Sequence, residues 1–164
     1  MPVRPLDNAA WGFPSSCYVC DAGNDRGLRI AFAHDTDAGE VTASFQLGPE
    51  FSGAPRYVHG GVVLAILDEA MAWAAIAEAG RFAVVQHTAT TFERPVRVGE
   101  AYMVTAMVTS HDERAVTARA EVASAQGILC AKAHARLSVL SQSVAPSAIG
   151  DVTGPDTHYL RREP

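Results

Sequence analysis

Two adjacent carboxylates, Asp68 and Glu69, lie in the middle of a long apolar stretch that follows His59, Gly60 and Gly61. A carboxylate can attack an electrophilic carbon or take a proton from water, so either acid could do chemistry. Neighbouring side chains on a helix point about 100° apart, so the two acids cannot share one environment. Ordinary hydrogen bonds at a subunit interface would also account for them, because a buried acid needs partners.

The stretch that carries these acids is expected to be a helix. Ala, Leu and Met dominate it, and neither Pro nor Gly interrupts it between Gly61 and Gly80. Helix propensity is therefore high, and Gly80 stands where a left-handed cap would end the helix. Apolar residues surround the helix, which predicts burial on nearly all sides. A membrane span is not expected, because Asp68 and Glu69 would lie near its middle. We predict the central helix of a soluble domain.

Length and composition favour a single cytoplasmic domain. The chain has 164 residues, of which 48% are hydrophobic and 19% charged, enough for one substantial core. The net charge is −5 and no basic run is present, so nucleic-acid binding is not expected. The odd number of cysteines and the absence of an apolar core in residues 1–5 predict a cytoplasmic protein with reduced thiols.

Cys17 and Cys20 form a Cys-x-x-Cys pair. A structural zinc site needs four ligands, yet Cys130 is the one further cysteine and the histidines show no paired spacing. Zinc binding and a redox dithiol are therefore less favoured than two small thiols in a strand or turn. No metal site is predicted.

Alternating apolar residues predict strands on both sides of the helix. The expected strands are residues 28–32, 40–47, 82–92, 101–110, 115–124 and 128–140. The first two form a hairpin. The predicted fold is α+β, with about six antiparallel strands curled around one long central helix.

Both ends of the chain differ in composition from this core. Residues 1–16 are expected to be an irregular arm pinned by Trp11 and Phe13. Residues 141–164 are rich in Ser, Pro, Asp and Gly and predict a polar tail outside the core. The domain itself is expected to span residues 17–140.

His59-Gly60-Gly61, followed by Asp68-Glu69, resembles the signature of hotdog-fold acyl-CoA thioesterases of the phenylacetate-pathway (PaaI-like) type. The segment 92–100, which contains Pro95 and Gly99, is similar to the strand after the helix in that family. The resemblance implies a hotdog fold and a homodimer joined edge to edge, often paired into a homotetramer. It also implies hydrolysis of an acyl-CoA thioester without a metal or organic cofactor.

The resemblance also implies roles for individual residues. Gly60 matches the position whose backbone N–H polarises the thioester carbonyl, and His59 shapes that turn. Asp68 matches the acid that acts as nucleophile or general base, and Glu69 is the alternative acid. A helix N-terminus suits an oxyanion because its N–H groups are unpaired and carry partial positive charge. The expected substrate contacts are Gly61, Gln86, His87 and Arg94.

Helix geometry adds a constraint that does not depend on the family. Gly60 and Asp68 are eight residues apart, and eight residues of helix rise about 12 Å. One carbonyl cannot reach both groups of one chain. If both act, the active site combines two subunits across a two-fold axis, with two sites per dimer.

Two positions depart from the family pattern. Many relatives carry Asn or Gln where this chain has Gly53, and a small polar residue where it has Ala72. Polar residues that could substitute are Ser52, Gln86, His87 and Thr88, although an ordinary loop or strand role is favoured for each. Arg56, Arg94 and Arg97 could meet the phosphates of coenzyme A, or could be solvated surface residues.

Two other functions compete with hydrolysis. The departures at Gly53 and Ala72 favour a non-catalytic module that binds an acyl-CoA or an acyl carrier, as a sensor or scaffold. A hotdog hydratase or dehydratase would need an Asp–His pair placed for proton transfer at carbon. No Asp-x-x-x-x-His is present before or at the helix, which disfavours the hydratase.

Overall fold

The computed structural model describes residues 3–10, 14–150 and 160–161. In these residues, seven strands form one antiparallel sheet around a long helix, and a short helix follows the last strand. The strands are β1 (Val3–Leu6), β2 (Phe32–Asp35), β3 (Glu40–Gln46), β4 (Ala83–Phe92), β5 (Ala101–His111), β6 (Ala115–Ser124) and β7 (Leu129–Val139). The helices are α1 (Gly60–Ala77) and α2 (Ala145–Ile149). Their order across the sheet is β1-β2-β3-β5-β6-β7-β4, which confirms the predicted α+β hotdog architecture with one extra strand.

Helix α1 lies on the concave face of the sheet and contacts every strand from β2 to β7. Many of the residues of β6 and β7 on the buried face are small: Ala118, Ala120, Ala131, Ala133 and Ala135 are all buried. Small side chains on the sheet let the helix backbone approach closely. The larger fully buried side chains come from both layers. They include Ile66, Leu67 and Met71 on α1, and Val41, Val104, Val116, Val122 and Leu137 on the sheet.

Helix α1 begins and ends where the sequence predicts, but its burial is less complete. Gly80 adopts a left-handed φ of 62°, and its N–H donates to the Ile76 carbonyl at 3.1 Å. Length and composition alone would allow α1 to span a membrane, although half of its residues are buried inside the fold. Leu64, Ala65 and Ala72 are only partly buried in the single chain. The predicted burial is therefore found on the side of α1 that faces the sheet and in its C-terminal half, but not all around the helix.

The strand predicted at residues 28–32 is wrong. Residues 28–31 are irregular, and strand β2 begins at Phe32. Arg29 has a left-handed φ of 52°, which interrupts extended backbone. Leu28 and Ile30 instead donate their N–H groups to the carbonyls of Tyr18 and Val19, at 2.7 and 2.8 Å. Alternate residues are buried in this loop, which gives it a strand-like pattern.

Structure extends into both terminal segments. Strand β1 lies within the arm expected to be irregular and pairs antiparallel with β2. Trp11 and Phe13 lie outside the described residues. In the C-terminal segment, α2 and Leu160 form a small apolar cluster with Leu140, separate from the main core.

Candidate active site

The N-terminus of α1 is organised by His59. Its side-chain Nδ1 accepts a hydrogen bond from the Gly61 N–H at 2.9 Å, and its carbonyl accepts from the Val62 N–H at 2.9 Å. The accepting Nδ1 of a neutral imidazole leaves the proton on Nε2. The Gly60 N–H has no acceptor among the described residues. One free donor therefore points out of the positive end of the helix.

The two glycines of this turn meet different constraints. A Cβ on Gly61 would lie 3.1 Å from His59 Nδ1, so a side chain there would disturb the cap. A Cβ on Gly60 would lie in ordinary contact with the Phe92 ring at 3.8 Å. Phe92, at the end of β4, is 53% exposed and forms an apolar wall beside Gly60. The sequence gives no indication of this contact, because the residues are far apart in the chain.

The ring of His59 also explains the glycine at position 53. A Cβ on Gly53 would lie 3.2 Å from His59 Cδ2 and 3.3 Å from its Cα. An Asn or Gln side chain at this position, as in many relatives, would force the His59 ring to move. Ser52 is not free to supply the polar group that Gly53 lacks, because its hydroxyl donates to the Pro49 carbonyl at 2.7 Å.

Asp68 lies two turns along α1 from the capped end. Its side chain is partly buried and has no hydrogen bond or ion pair among the described residues. Burial raises the pKa of this carboxyl, and the nearby Cys17 raises it further. An unpartnered carboxylate with a raised pKa is free to accept a proton or to attack a substrate.

Glu69 has a different environment, as the 100° offset between neighbouring residues predicts. It accepts a hydrogen bond from the Cys17 thiol, with 3.3 Å between Sγ and Oε1. Burial raises the pKa of Glu69 to about 7. Glu69 is therefore already engaged with the Cys17–Cys20 turn, whereas Asp68 is not.

Of the other predicted contacts, Gln86 and His87 are not brought to Gly60 within one chain. Gln86 and His87 are exposed on β4, about 16 to 20 Å along the strand from Phe92. Gln86 accepts a hydrogen bond from the Arg136 guanidinium at 3.3 Å. Arg94 is exposed just beyond β4. A second subunit would be needed to bring Gln86 and His87 near the helix N-terminus, whereas Arg94 is only two residues from Phe92, which lies beside Gly60.

Residues 56–131 match the family model of the thioesterase superfamily. The matched segment is a little under half of the chain, and it is similar to that superfamily. This match confirms the resemblance, and thioester hydrolase is the enzyme class of the superfamily. No curated protein matches the chain.

Solved structures of thioesterase-superfamily members share the fold. A member named RHA08564 is 25% identical with a TM-score of 0.65, and the alignment covers 70% of this chain and 56% of that one. A phenylacetic acid degradation-related protein from Ralstonia eutropha JMP134 is 25% identical with a TM-score of 0.61. The alignment covers 72% of this chain and 88% of that one. The smu.793 protein of Streptococcus mutans UA159, bound to acetyl CoA, is 16% identical with a TM-score of 0.59, covering 62% and 81%. The chain thus spans just over half of RHA08564.

Proposed function

We propose that this protein hydrolyses an acyl-coenzyme A thioester to the free acid and CoA, with an active site built from two subunits. One observation carries the proposal: the Gly60 N–H and the Asp68 carboxylate are both unpartnered in the described residues, on one unbroken helix. They are about 12 Å apart along its axis. A two-fold pairing would bring Gly60 of one subunit to Asp68 of the other.

Strand β4 offers the edge for this pairing. It is ten residues long, and in the described part of the chain only β7 pairs with it. Val84 and Phe92 on this strand are 47% and 53% exposed. A long, unpaired edge with exposed apolar side chains favours strand addition. Because Phe92 lies beside Gly60, the proposed homodimer interface would continue to the catalytic turn; a dimer of dimers could form through other surfaces.

The chemistry follows from the two groups. The Gly60 N–H would donate to the thioester oxygen, and the positive helix end would stabilise the negative charge that develops there. Ionised Asp68 of the partner would attack the carbonyl carbon or take a proton from an attacking water. The carbon–sulfur bond then breaks, and sulfur leaves with the CoA, which is protonated to the thiol. If Asp68 attacks directly, water hydrolyses the acyl-Asp anhydride to the free acid and restores the carboxylate; if Asp68 is the base, the proton it took from water passes to the CoA sulfur. Exposed Arg94 would bind CoA phosphates as a charged rim contact.

The test measures free-thiol release from short, long and aromatic acyl-CoAs. We expect Asp68→Asn to lower kcat by about 10²- to 10⁴-fold, the range for a lost general base. Asp25→Asn, an exposed acid, is the matched control and should retain wild-type turnover. Full turnover by Asp68→Asn would refute the assignment and point to Glu69.

The contact between Gly53 and His59 supports a second candidate, a non-catalytic acyl-CoA-binding module, because no side chain at position 53 can assist hydrolysis. Binding of acyl-CoA by the wild type, without turnover of any thioester in the panel, would favour this alternative.

A further inference from the structure

The Cys17–Cys20 turn packs against α1 at Glu69 and brings three metal-ligating groups together. The two sulfurs and a carboxylate oxygen of Glu69 all lie within 4.8 Å of one another. These residues take no part in the proposed hydrolysis. Glu69 is 52 positions from Cys17, so the sequence pattern offered only two ligands where the fold supplies three.

The chain around the turn holds both thiols in place. The N–H groups of Val19 and Cys20 point to Cys17 Sγ, at 3.3 and 3.5 Å. The Asn8 amide donates to Cys20 Sγ at 3.4 Å. Donors of this kind orient ligands from outside the metal's own shell.

The following loop clamps the turn from the other side. A Cβ on Gly27 would lie 2.4 Å from the Tyr18 carbonyl oxygen, so only glycine allows the loop to approach this closely. The loop then bonds to the turn through the Leu28 and Ile30 N–H groups. The irregular segment that replaces the expected strand thus serves to position Cys17 and Cys20.

The cluster lacks a positive charge. No lysine, arginine or histidine within residues 3–10, 14–150 and 160–161 forms an ion pair with Glu69 or the adjacent Asp68. No protein cation therefore competes with a metal ion for these ligand atoms in the described residues. A bound divalent cation would supply the missing positive charge.

A small cavity adjoins the cluster. It has a volume of about 180 Å³, and its wall includes Asn8, Ser15, Cys17, Glu69 and Trp73. Trp73 is only 2% exposed, and its indole N–H has no acceptor among the described residues. The cavity has room for a water molecule as a fourth, non-protein ligand.

We propose that Cys17, Cys20 and Glu69 bind one Zn²⁺ ion, with water in the fourth position. Two thiolates, one carboxylate and a water form a donor set that suits tetrahedral zinc. Zinc–sulfur bonds of about 2.3 Å place the sulfurs about 3.8 Å apart, so the groups need to close by about 1 Å or less. The ion fastens the N-terminal turn to α1 next to Asp68.

The first test is cobalt and zinc titration of the full chain, reduced and freed of metal. Co²⁺ should bind one per chain and show sulfur-to-cobalt charge transfer with the intense visible bands of a tetrahedral site, and Zn²⁺ should displace it. Cys17→Ser and Cys20→Ser should each weaken the charge transfer. Glu69→Gln should weaken zinc binding by about tenfold or more. Cys130→Ser and Glu121→Gln are the matched controls and should bind zinc as the wild type does.

The second test needs no variant, so it stands even if a substitution prevents folding. Zn²⁺ should protect Cys17 and Cys20 of the wild type from a thiol reagent, as located by mass spectrometry, and leave the rate at Cys130 unchanged. Equal zinc affinity in Glu69→Gln and Glu121→Gln, no charge transfer with Co²⁺, or a Cys17–Cys20 disulfide with no metal protection would each overturn the proposal. These readouts are independent of thioester turnover.

Discussion

Replacing Gly60 by proline removes the one N–H group that the proposed mechanism uses while leaving the helix intact. Gly60 is the first residue of α1, the position where proline is favoured and where its missing N–H breaks no helical bond. His59 has φ −58° and ψ 134°, an extended conformation suited to a residue before proline. The new Cβ would meet only the Phe92 ring, at 3.8 Å.

Gly60→Pro is expected to lower activity while leaving stability unchanged or raised. Loss of one oxyanion donor lowers kcat by about 10²- to 10³-fold, or about 2.7 to 4 kcal/mol. The stiffer unfolded chain should stabilise Gly60→Pro by about 0.4 to 1 kcal/mol. Gly60→Ala, which keeps the N–H, is the matched control and should retain turnover.

Thioester turnover and thermal unfolding of both variants provide the check. Gly60→Pro should show low kcat with an unchanged or raised Tm, and the loss should appear in kcat more than in KM because the donor acts in the transition state. Equal kcat in Gly60→Pro and Gly60→Ala would refute the role of this N–H.

Three further predictions follow from the same geometry. Mixed dimers of Gly60→Pro and Asp68→Asn subunits should recover about a quarter of wild-type turnover, because half of the dimers then hold one intact composite site; no recovery after subunit exchange would place the site within one chain. Gly80→Ala should lower the free energy of unfolding by about 1 kcal/mol in urea titrations, since alanine is strained at a φ of 62°; unchanged stability would contradict the cap. The Asp112 carboxylate accepts from the Arg114 and Ala115 N–H groups, which lowers its pKa. Asp112→Asn should therefore be less stable than wild type at pH 7, and the difference should shrink as pH falls below the ordinary Asp pKa of 3.8; a difference that is constant with pH would exclude the carboxylate's charge as its cause.

The sequence predicts the elements whose pattern is local. Helix propensity and Gly80 set the extent of α1, and period-two alternation locates β3 to β7 within a few residues. Residues 28–31 show why alternation can mislead: the loop buries Leu28 and Ile30 as a strand would, yet Arg29 turns the backbone and the bonds go to another loop. Burial alone does not determine hydrogen-bond partners.

Only part of the candidate site can be predicted from the sequence, for a related reason. His59, Gly60 and Asp68 lie close together in the chain, so their spacing on a helix can be worked out. The contacts of Phe92 with Gly60 and of Cys17 with Glu69 join distant segments, and no local pattern encodes them. The close approach of the Gly53 backbone to His59, which leaves no room for a side chain at position 53, likewise depends on how the loop before α1 folds back.

The two edges of the sheet are not equivalent, and this difference bears on how copies of the chain can assemble. Strand β1 at the far edge is four residues long and carries Arg4 and Pro5, and proline cannot donate to a further strand. Strand β4 at the other edge is long and has no proline. Chains that joined through both edges could polymerise without limit. Because the β1 edge disfavours a further strand, pairing of β4 with β4 of a second copy is the remaining edge contact. Edge-to-edge growth through these strands would therefore be expected to end at two copies, which would also oppose growth into a fibril.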